Sequence, residues 1–175
     1  MSILLLNPSK KKKYKNLTIN GGFENSFVGW SMVGSVATID TTIKLNGLDS
    51  AKLIANSTTS EVQQSVIIPN GHLVYVCVNA YLQSGSYTPN NFTVISNYVG
   101  TTLVSLIGST TLSVWQKLST IVTSAYGGIG ISLGRASAQT VTVNFDNVYL
   151  VDLTAQFGIG NEPSQTWCDA NLPFI

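Results

Sequence analysis

The stretch that decides the fold is NLTINGGFENSFVGW, residues 16–30. A strand-like run, residues 16–20, ends in two glycines, continues into Phe23 and Glu24, and returns to a Gly-Trp pair. A turn needs glycine because glycine adopts positive φ at little cost. It does not need a large apolar side chain beside an acid. That combination indicates a structural task for which the rest of the chain must supply the partners.

The composition is typical of an all-β domain with uncharged outer faces. The chain has 175 residues, enough for one domain with a substantial core. Hydrophobic residues make up 44% and charged residues only 10%, and the remainder is rich in Ser, Thr, Asn and Gly. The formal net charge is +1, so no global field attracts nucleic acid or a membrane.

Apolar and polar residues alternate with a period of two in many short segments, which predicts strands. In residues 73–82, LVYVCVNAYL, the valines and Leu82 fall on one face, and Tyr75, Asn79 and Tyr81 fall on the other. Residues 128–134 alternate isoleucine and leucine with glycine and serine. Further strands are predicted at residues 35–40, 51–55, 62–68, 92–98, 102–107, 115–123 and 140–145. About ten short strands separated by turns predict a β-sandwich or jelly roll.

The two ends of the chain differ from the middle. Residues 1–15 hold ILLL and then PSKKKKYK, and they predict an N-terminal basic arm outside the sandwich of residues 16–152. Residues 153–175 change period and predict a C-terminal segment of two short helices, with Gly158 ending the first and Pro163 starting the second. The ILLL run precedes the lysines, the reverse of a secretory signal, and no segment reaches the ~20 apolar residues of a membrane span. The sequence therefore predicts a soluble product.

Little in the sequence nominates catalytic chemistry. His72 is the only histidine and lies beside a turn, without a Gly-x-Ser-x-Gly elbow or a second zinc ligand. The eight acids are scattered, mostly at turns and strand ends, and nominate no pair for glycoside cleavage. Cys77 lies in an apolar run and reads as a small core residue; a disulfide to Cys168 is left open. The expectation is that the protein is not an enzyme.

The opening stretch resembles the first strand of carbohydrate-binding-module-like jelly rolls, whose signature is Asn-x-Gly-Phe-Glu followed by Gly-Trp. The segments LNGLDSAKL, VQQSVIIPNGHLVYVCVNAYLQSGS and VNFDNVYLVDL look like the later strands of those modules, in the same order. The resemblance covers about residues 16–153. It implies an all-β jelly-roll sandwich whose first and last strands meet.

In many such modules a structural calcium ion joins these strands, since Ca²⁺ takes six or more oxygen ligands. Carried over, the resemblance implies Glu24 and Asp146 as ligands, with Asp49 and backbone carbonyls near Gly22 and Lys52 as further candidates. The alternative is that Glu24 pairs with loop amides and Asp146 caps a bulge. In either case the glycines let carbonyls turn inward, Phe23 anchors the turn, and Glu24 points at the group that closes the sandwich.

A second resemblance covers VDLTAQFGIGNEPSQTWCD, residues 151–169. It is similar to the Asp-Leu-Thr-x-x-Phe-Gly-x-Gly-Asn-Glu-Pro segment that follows a jelly roll in tail and receptor-binding proteins of phages and prophages. After Pro163 this chain has Gln165, Thr166 and Trp167 where acids are usual. The segment is expected to fold back over one sheet with Phe157, Trp167 and Leu172 inward.

Sugar binding would need aromatic rings that stack on pyranose faces, with amides nearby for the hydroxyls. The candidate glycan-binding residues are Tyr75, Asn79, Tyr81, Tyr87, Asn90, Tyr98 and Tyr126. Tyrosine is also common on outer sheet faces and in subunit contacts, so each candidate has an ordinary alternative. Trp30 and Trp115 read as core, and Trp167 as packing of the C-terminal helix.

The lysine run is the candidate docking element; it consists of Lys10, Lys11, Lys12, Lys13 and Lys15. It is either a solvated arm or an anchor onto an acidic partner surface, with ILLL adding a strand to that partner. The resulting hypothesis is a phage virion component of the tail, baseplate or head, assembled in the host cytoplasm, that adheres to host-surface glycan and contacts other virion proteins. The alternatives are a structural decoration protein that binds no sugar and an ancillary module of a bacterial glycoside hydrolase. Neither nucleic acid nor a membrane is an expected partner, and homo-oligomer formation is left open.

Overall fold

Ten strands and two short helices make up the computed structural model, which describes residues 13–34, 37–56, 60–85, 92–108, 111–134 and 140–172. In chain order these elements are β1 (Ser31–Val33), β2 (Ala37–Asp40), β3 (Ser50–Asn56), β4 (Glu61–Ile67), β5 (Leu73–Ser84), β6 (Thr93–Asn97), β7 (Thr102–Leu106), β8 (Trp115–Thr123), β9 (Gly128–Leu133), β10 (Thr140–Asp152), α1 (Leu153–Phe157) and α2 (Gln165–Asn171).

The strands form two five-stranded antiparallel sheets. The first sheet has the order β1-β4-β9-β6-β7, and the second has the order β2-β3-β10-β5-β8. The apolar side chains of the two inner faces form one buried cluster, whose members lie in the sequence between Phe23 and Leu150. This confirms the predicted all-β sandwich.

Strand β5 shows why the alternation of the sequence produces this core. Val74, Val76, Val78, Ala80 and Leu82 are all fully buried in the cluster between the sheets, as predicted. Successive side chains of a strand point to opposite faces, so the residues between them lie on the outer face of the second sheet. What covers that outer face therefore decides whether they meet solvent.

The opening stretch folds differently from the expectation in two respects. Residues 16–20 form irregular backbone that leads through a bend into a turn, rather than a strand. Gly21 does not have positive φ; its carbonyl accepts a hydrogen bond from the Val148 N–H at 2.8 Å, and a Cβ there would lie 2.1 Å from the Val148 oxygen. Glycine is needed at this position because two backbones touch, while Phe23 takes the positive φ of 60° and is fully buried, the core anchor that was expected.

The C-terminal cover, residues 153–172, packs on the outer face of the second sheet. Asp152 caps α1 by accepting from the Ala155 N–H, and Ser164 caps α2 by accepting from the Trp167 N–H. Pro163 therefore precedes the cap instead of opening the helix. The residues expected to point inward do so, in a second apolar cluster that comprises Tyr75, Cys77, Val151, Leu153, Cys168 and Leu172, with Phe157 and Trp167 packed against it.

The predicted N-terminal arm is in part attached to this cover. The Tyr14 ring stacks on Phe157 with centroids 5.0 Å apart and meets Trp167 edge-on at 6.1 Å. Tyr14 of the predicted arm therefore packs on the C-terminal cover. Residues 1–12 lie outside the described part of the chain.

Two smaller findings complete the fold. Cys77 and Cys168 are both buried free thiols, so the pairing left open by the sequence is not made. Burial raises the pKa of each thiol to about 11.

Neither helix of the described residues combines the length and the apolar character that crossing a bilayer requires.

Candidate functional site

A groove of about 320 Å³ crosses the outer face of the first sheet. Its lining comes from β4, β9, β6 and the β6–β7 turn, and it comprises Glu61, Gln63, Ser65, Val94, Ser96, Asn97, Tyr98, Val99, Gly100, Thr102, Gly130, Ile131 and Ser132. Most of these side chains are small or polar, and Glu61 is the single charged one among them. The groove is thus a polar depression on a sheet face.

Small residues on β9 create the depression. A Cβ at Gly130 would lie 2.7 Å from the Ser96 hydroxyl oxygen, and one at Gly128 would lie 2.4 Å from the Val66 carbonyl oxygen. Because β9 has no side chains at these two positions, the side chains of the neighbouring strands β4 and β6 form the walls of the groove. The alternation of isoleucine with glycine and serine in residues 128–134 is the sequence signal for this floor.

Hydrogen bonds fix the polar groups of the groove. The Glu61 carboxylate accepts from the Gln63 side-chain amide at 2.7 Å and from the Ser132 hydroxyl. The Asn97 side-chain oxygen accepts from the N–H groups of Val99 and Thr101 at 3.0 and 2.9 Å, which shapes the turn at the groove wall. The groove is therefore preorganised, with little side-chain freedom to lose when a ligand binds.

An exposed apolar rim lies at one end of the groove. Tyr98 is 53% exposed, and its ring lies over the Gly128 backbone, where a Cβ would be 3.1 Å from the ring. Ile67, the register partner of Gly128, and Tyr126, two residues before Gly128, are also exposed. The rim gives the polar groove an aromatic end.

The predicted glycan-binding residues separate into several places. Tyr98 lines the groove, and Tyr126 is exposed near its end. Tyr75 is 1% exposed beneath the C-terminal cover and donates its hydroxyl to Asp169 at 2.7 Å, so the expectation of a stacking surface there is wrong. Asn79 and Tyr81 lie on the outer face of the second sheet, away from the groove. The other two candidates, Tyr87 and Asn90, lie outside the described residues.

Trp115 is also placed differently from the expectation. It is half-buried on the outer face of the second sheet and packs against Tyr81, with ring centroids 5.3 Å apart and planes tilted by 50°. Trp30 is buried in the core, and Trp167 packs within the C-terminal cover, both as expected. Sequence alternation alone did not identify Trp115, because either face of β8 carries apolar residues.

Glu24 and Asp146 both receive backbone N–H groups from the 45–49 loop. Glu24 accepts from the N–H groups of Leu48 and Asp49 at 3.0 and 3.2 Å. Asp146 accepts from Leu45 and Asn46 at 2.9 and 3.1 Å. Four backbone N–H groups of the loop thus offset the charge of two sequence-distant acids and join the first turn to the last strand.

The contacts of Glu24 and Asp146 explain why glycine is needed at position 47 and why the register of β10 shifts after Asp146. Gly47 has a φ of 65°, and a Cβ there would lie 2.0 Å from a Glu24 carboxylate oxygen, so only glycine lets the loop close on the acid. Asp146 also accepts from the Asn147 N–H, where the β10 register shifts. Burial raises the pKa of Asp146, and the nearby Glu24 charge adds to this, against the lowering effect of the N–H bonds.

The surroundings of Glu24 and Asp146 bear on the calcium site that the resemblance implies. Calcium needs six or more oxygens, whereas the 45–49 loop points hydrogen-bond donors at both carboxylates. Gly22 lies beside Asp146, and Asp49 is in the loop. The part proposed for Lys52 was its backbone carbonyl, on which the ion pair of its side chain with Asp40 at 3.9 Å does not bear. No group of three His, Cys, Asp or Glu residues suited to a metal occurs in the described ranges. The two acids as placed fit the alternative of amide pairing and a capped bulge; the calcium site stays a prediction.

His72 and the acids Asp152 and Glu162 have structural partners. His72 Nδ1 lies 2.8 Å from an Asp152 carboxylate oxygen, and the other oxygen of Asp152 caps α1. Thr154 accepts from the Leu73 N–H and donates to Glu162 at 2.6 Å. These bonds tie the Asp-Leu-Thr and Asn-Glu-Pro motifs to the turn before β5.

Of the predicted docking lysines, Lys13 and Lys15 are exposed beside the C-terminal cover. Lys10, Lys11 and Lys12 lie outside the described residues. The docking interpretation of this run stays a prediction.

Solved carbohydrate-binding modules have the same architecture. The CBM22-1 xylan-binding domain from Paenibacillus barcinonensis Xyn10C superimposes with a TM-score of 0.60 at 14% identity, covering 80% of this chain and 96% of that domain. TmCBM61, solved in complex with β-1,4-galactotriose, gives 0.57 at 20% identity, covering 79% and 99%. The chain has the jelly-roll fold of these modules. At such identities the likeness establishes the fold alone.

A phage protein contains a similar domain. The enzymatically active domain of bacteriophage CBA120 tailspike protein 4 gives a TM-score of 0.57 at 12% identity, covering 78% of this chain and 21% of that one. No protein-family model matches the sequence, and no curated protein matches it either.

Proposed function

We propose that this protein is a non-catalytic glycan-binding module and that the groove on the first sheet is its binding site. The observation that carries the proposal is a preorganised polar groove with an aromatic end, on a jelly roll shared with carbohydrate-binding modules. Sugar sites combine hydrogen-bonding groups for hydroxyls with a ring face for stacking. The groove has hydrogen-bonding groups along its length, such as Glu61, and the ring of Tyr98 at one end.

The groove has the dimensions and polarity for a short run of uncharged sugar units. It spans β4, β9, β6 and β7, three strand spacings of about 4.8 Å, or about 14 Å. Gln63, Ser65 and Ser96 offer donors and acceptors, and Tyr98 offers a ring face at one end. The Glu61 charge disfavours acidic sugars, because like charges in a partly buried site repel.

For the biological setting, we propose a phage or prophage virion component that adheres to host-surface glycan. The support is the resemblance of residues 151–169 to phage tail proteins and the similar domain in a phage tailspike. Tyr14 packs on the C-terminal cover, and the exposed Lys13 and Lys15 flank it there, on the opposite side of the sandwich from the groove. Docking to the particle from that side would leave the groove facing outward.

A second candidate setting has equal structural support. The Clostridium thermocellum Xyn10B CBM22-1-GH10 structure, complexed with xylohexaose, covers 82% of this chain and 30% of its own, with a TM-score of 0.54. A similar jelly roll thus occurs beside a hydrolase domain. An ancillary module of a glycoside hydrolase would use the same groove, and the genes or domains that neighbour this sequence distinguish the two settings.

The groove is tested by affinity electrophoresis in gels containing xylan, β-1,4-galactan or capsular polysaccharide of candidate host bacteria. We expect retardation of the wild type in at least one gel and about tenfold weaker binding of Tyr98→Ala and Gln63→Ala, the loss typical of one good contact. Ile159→Ala, 86% exposed on the C-terminal cover, is the matched control. Retardation that survives both groove substitutions contradicts the site, and none in any gel favours a purely structural decoration protein.

A further inference from the structure

An aromatic pair on the outer face of the second sheet lies beyond the end of the C-terminal cover. Tyr81 and Trp115 are register partners on β5 and β8, both half-buried. The C-terminal cover reaches Ser119 and Lys117 through Asp169, which accepts from the Ser119 hydroxyl at 2.6 Å. It contacts these two β8 positions, and the Tyr81–Trp115 pair lies farther along both strands.

Two side chains beside this pair carry amide atoms that have no hydrogen-bond partner among the described residues. Asn79, two residues before Tyr81 on the same face of β5, is 9% exposed, and no partner for its amide exists in the described part of the chain. The Gln83 side-chain oxygen is buried and also unpaired there. A buried polar group without a partner loses its hydration with nothing in return, so a ligand that pairs with these amides gains affinity.

We propose that Tyr81, Trp115 and Asn79 form a second sugar-contacting site, independent of the groove. The rings supply apolar faces for one sugar unit, and the Asn79 amide supplies a donor and an acceptor for its hydroxyls. The proposal takes its ligand class from the proposed function but uses different residues on the opposite sheet.

The charges around the pair favour a sugar over a charged partner. Lys117, the neighbour of Asn79 in register, donates to the Asp169 carbonyl at 2.9 Å and lies 3.5 Å from its carboxylate. Its charge is therefore offset within the protein. Asp146, the register partner of Asn79 on β10, is fully buried and accepts from the 45–49 loop. Among the described side chains, those left to meet a ligand are two rings and two amides, which is the chemistry that binds an uncharged hydroxylated ring.

Two sites on opposite sheets would make the protein bivalent. The sheets of a sandwich pack about 10 Å apart, and the sites face away from each other, so one short glycan cannot reach both. A long or dense glycan layer can engage both, which raises the apparent affinity without new contacts. The protein would then cross-link polysaccharide chains.

The test compares wild type, Trp115→Phe, the double variant Tyr81→Ala/Trp115→Ala, and Tyr98→Ala in gels containing xylan or β-1,4-galactan. Leu112→Ala, exposed shortly before β8, is the matched control. Xylohexaose and β-1,4-galactotriose titrations followed by tryptophan fluorescence supply a second readout, because Trp30 is buried in the core and Trp167 packs within the cover. We expect the double variant to lose about tenfold in retention, and Trp115→Phe to lose the fluorescence change.

The outcomes separate this inference from the proposed function. Loss in the double variant together with loss in Tyr98→Ala supports both sites. Loss only in the double variant supports this site and contradicts the groove. An unchanged double variant with an unchanged fluorescence response in Trp115→Phe overturns the inference, whether the rings serve a protein contact or none. Absence of binding by every form counts against both.

Discussion

The outer faces of the two sheets differ in what lies over them. The first sheet carries an open groove whose floor is glycine and serine, whereas most of the second is covered by the 45–49 loop and the C-terminal cover. Both faces come from strands with the same period-two alternation. Exposure of a sheet face in this protein therefore depends on which distant segment packs on it, and the open face is where binding is expected.

The largest effect is expected from a substitution that loosens the C-terminal cover on the second sheet. Leu172 is fully buried at the end of α2, and we expect Leu172→Ala to lower the free energy of unfolding by about 3 kcal/mol, since the cavity left behind adds to the lost burial. The buried Cys168 thiol should become reactive toward a thiol reagent. Ile159→Ala is the control and should change neither quantity. A full-length protein whose thiols react without the substitution would contradict the packing of the cover.

The groove floor is the next test. We expect Gly130→Val to fill the depression and abolish retardation in polysaccharide gels, because even a Cβ there lies 2.7 Å from the Ser96 oxygen. Overpacking should cost about 1–3 kcal/mol in chemical denaturation. Thr38→Val, at an exposed position of β2, is the control for adding valine to a strand. Undiminished binding by a folded Gly130→Val protein would place the site elsewhere.

The pH dependence of the cover is a smaller effect. Partial burial alone would raise the pKa of Asp169, but hydrogen bonds from Ser119 and Tyr75 and the Lys117 charge outweigh it and lower the pKa below 3.8. A lowered pKa means that the carboxylate stabilises the fold above that value and that this stability is lost as pH falls through the folded-state pKa. Unfolding followed between about pH 5 and pH 2 should therefore be less pH-dependent in Asp169→Asn. If the free energy of unfolding changed equally with pH in the wild type and in Asp169→Asn, the contacts of Asp169 would contribute nothing to stability.

The smallest expected effect concerns the acids at the 45–49 loop. Because amide groups already pair with Glu24 and Asp146, we expect chelator or added Ca²⁺ to shift the melting temperature by less than about 1 °C. A clear rise of the melting temperature with Ca²⁺, lost in Glu24→Gln, would support the metal site.

The sequence predicted the sandwich well because burial between two sheets requires local alternation, as in β5 and β9. It predicted the meeting of Glu24 with Asp146, through a resemblance. It did not predict that Tyr75 is buried, because that depends on a helix almost a hundred residues later. Nor did it identify Trp115, whose exposure follows from strand register and from where the cover stops. Local pattern determined which residues share a face; long-range packing determined which face is open.

The most direct test of the account is an NMR titration that maps amide shifts during addition of xylohexaose or the polysaccharide fragment found to bind. The account predicts shifts in β4, β9 and the β6–β7 turn, around Gln63, Gly130 and Tyr98, with a separate set around Trp115. Shifts confined to the C-terminal cover, or none with any host glycan fragment, would contradict it.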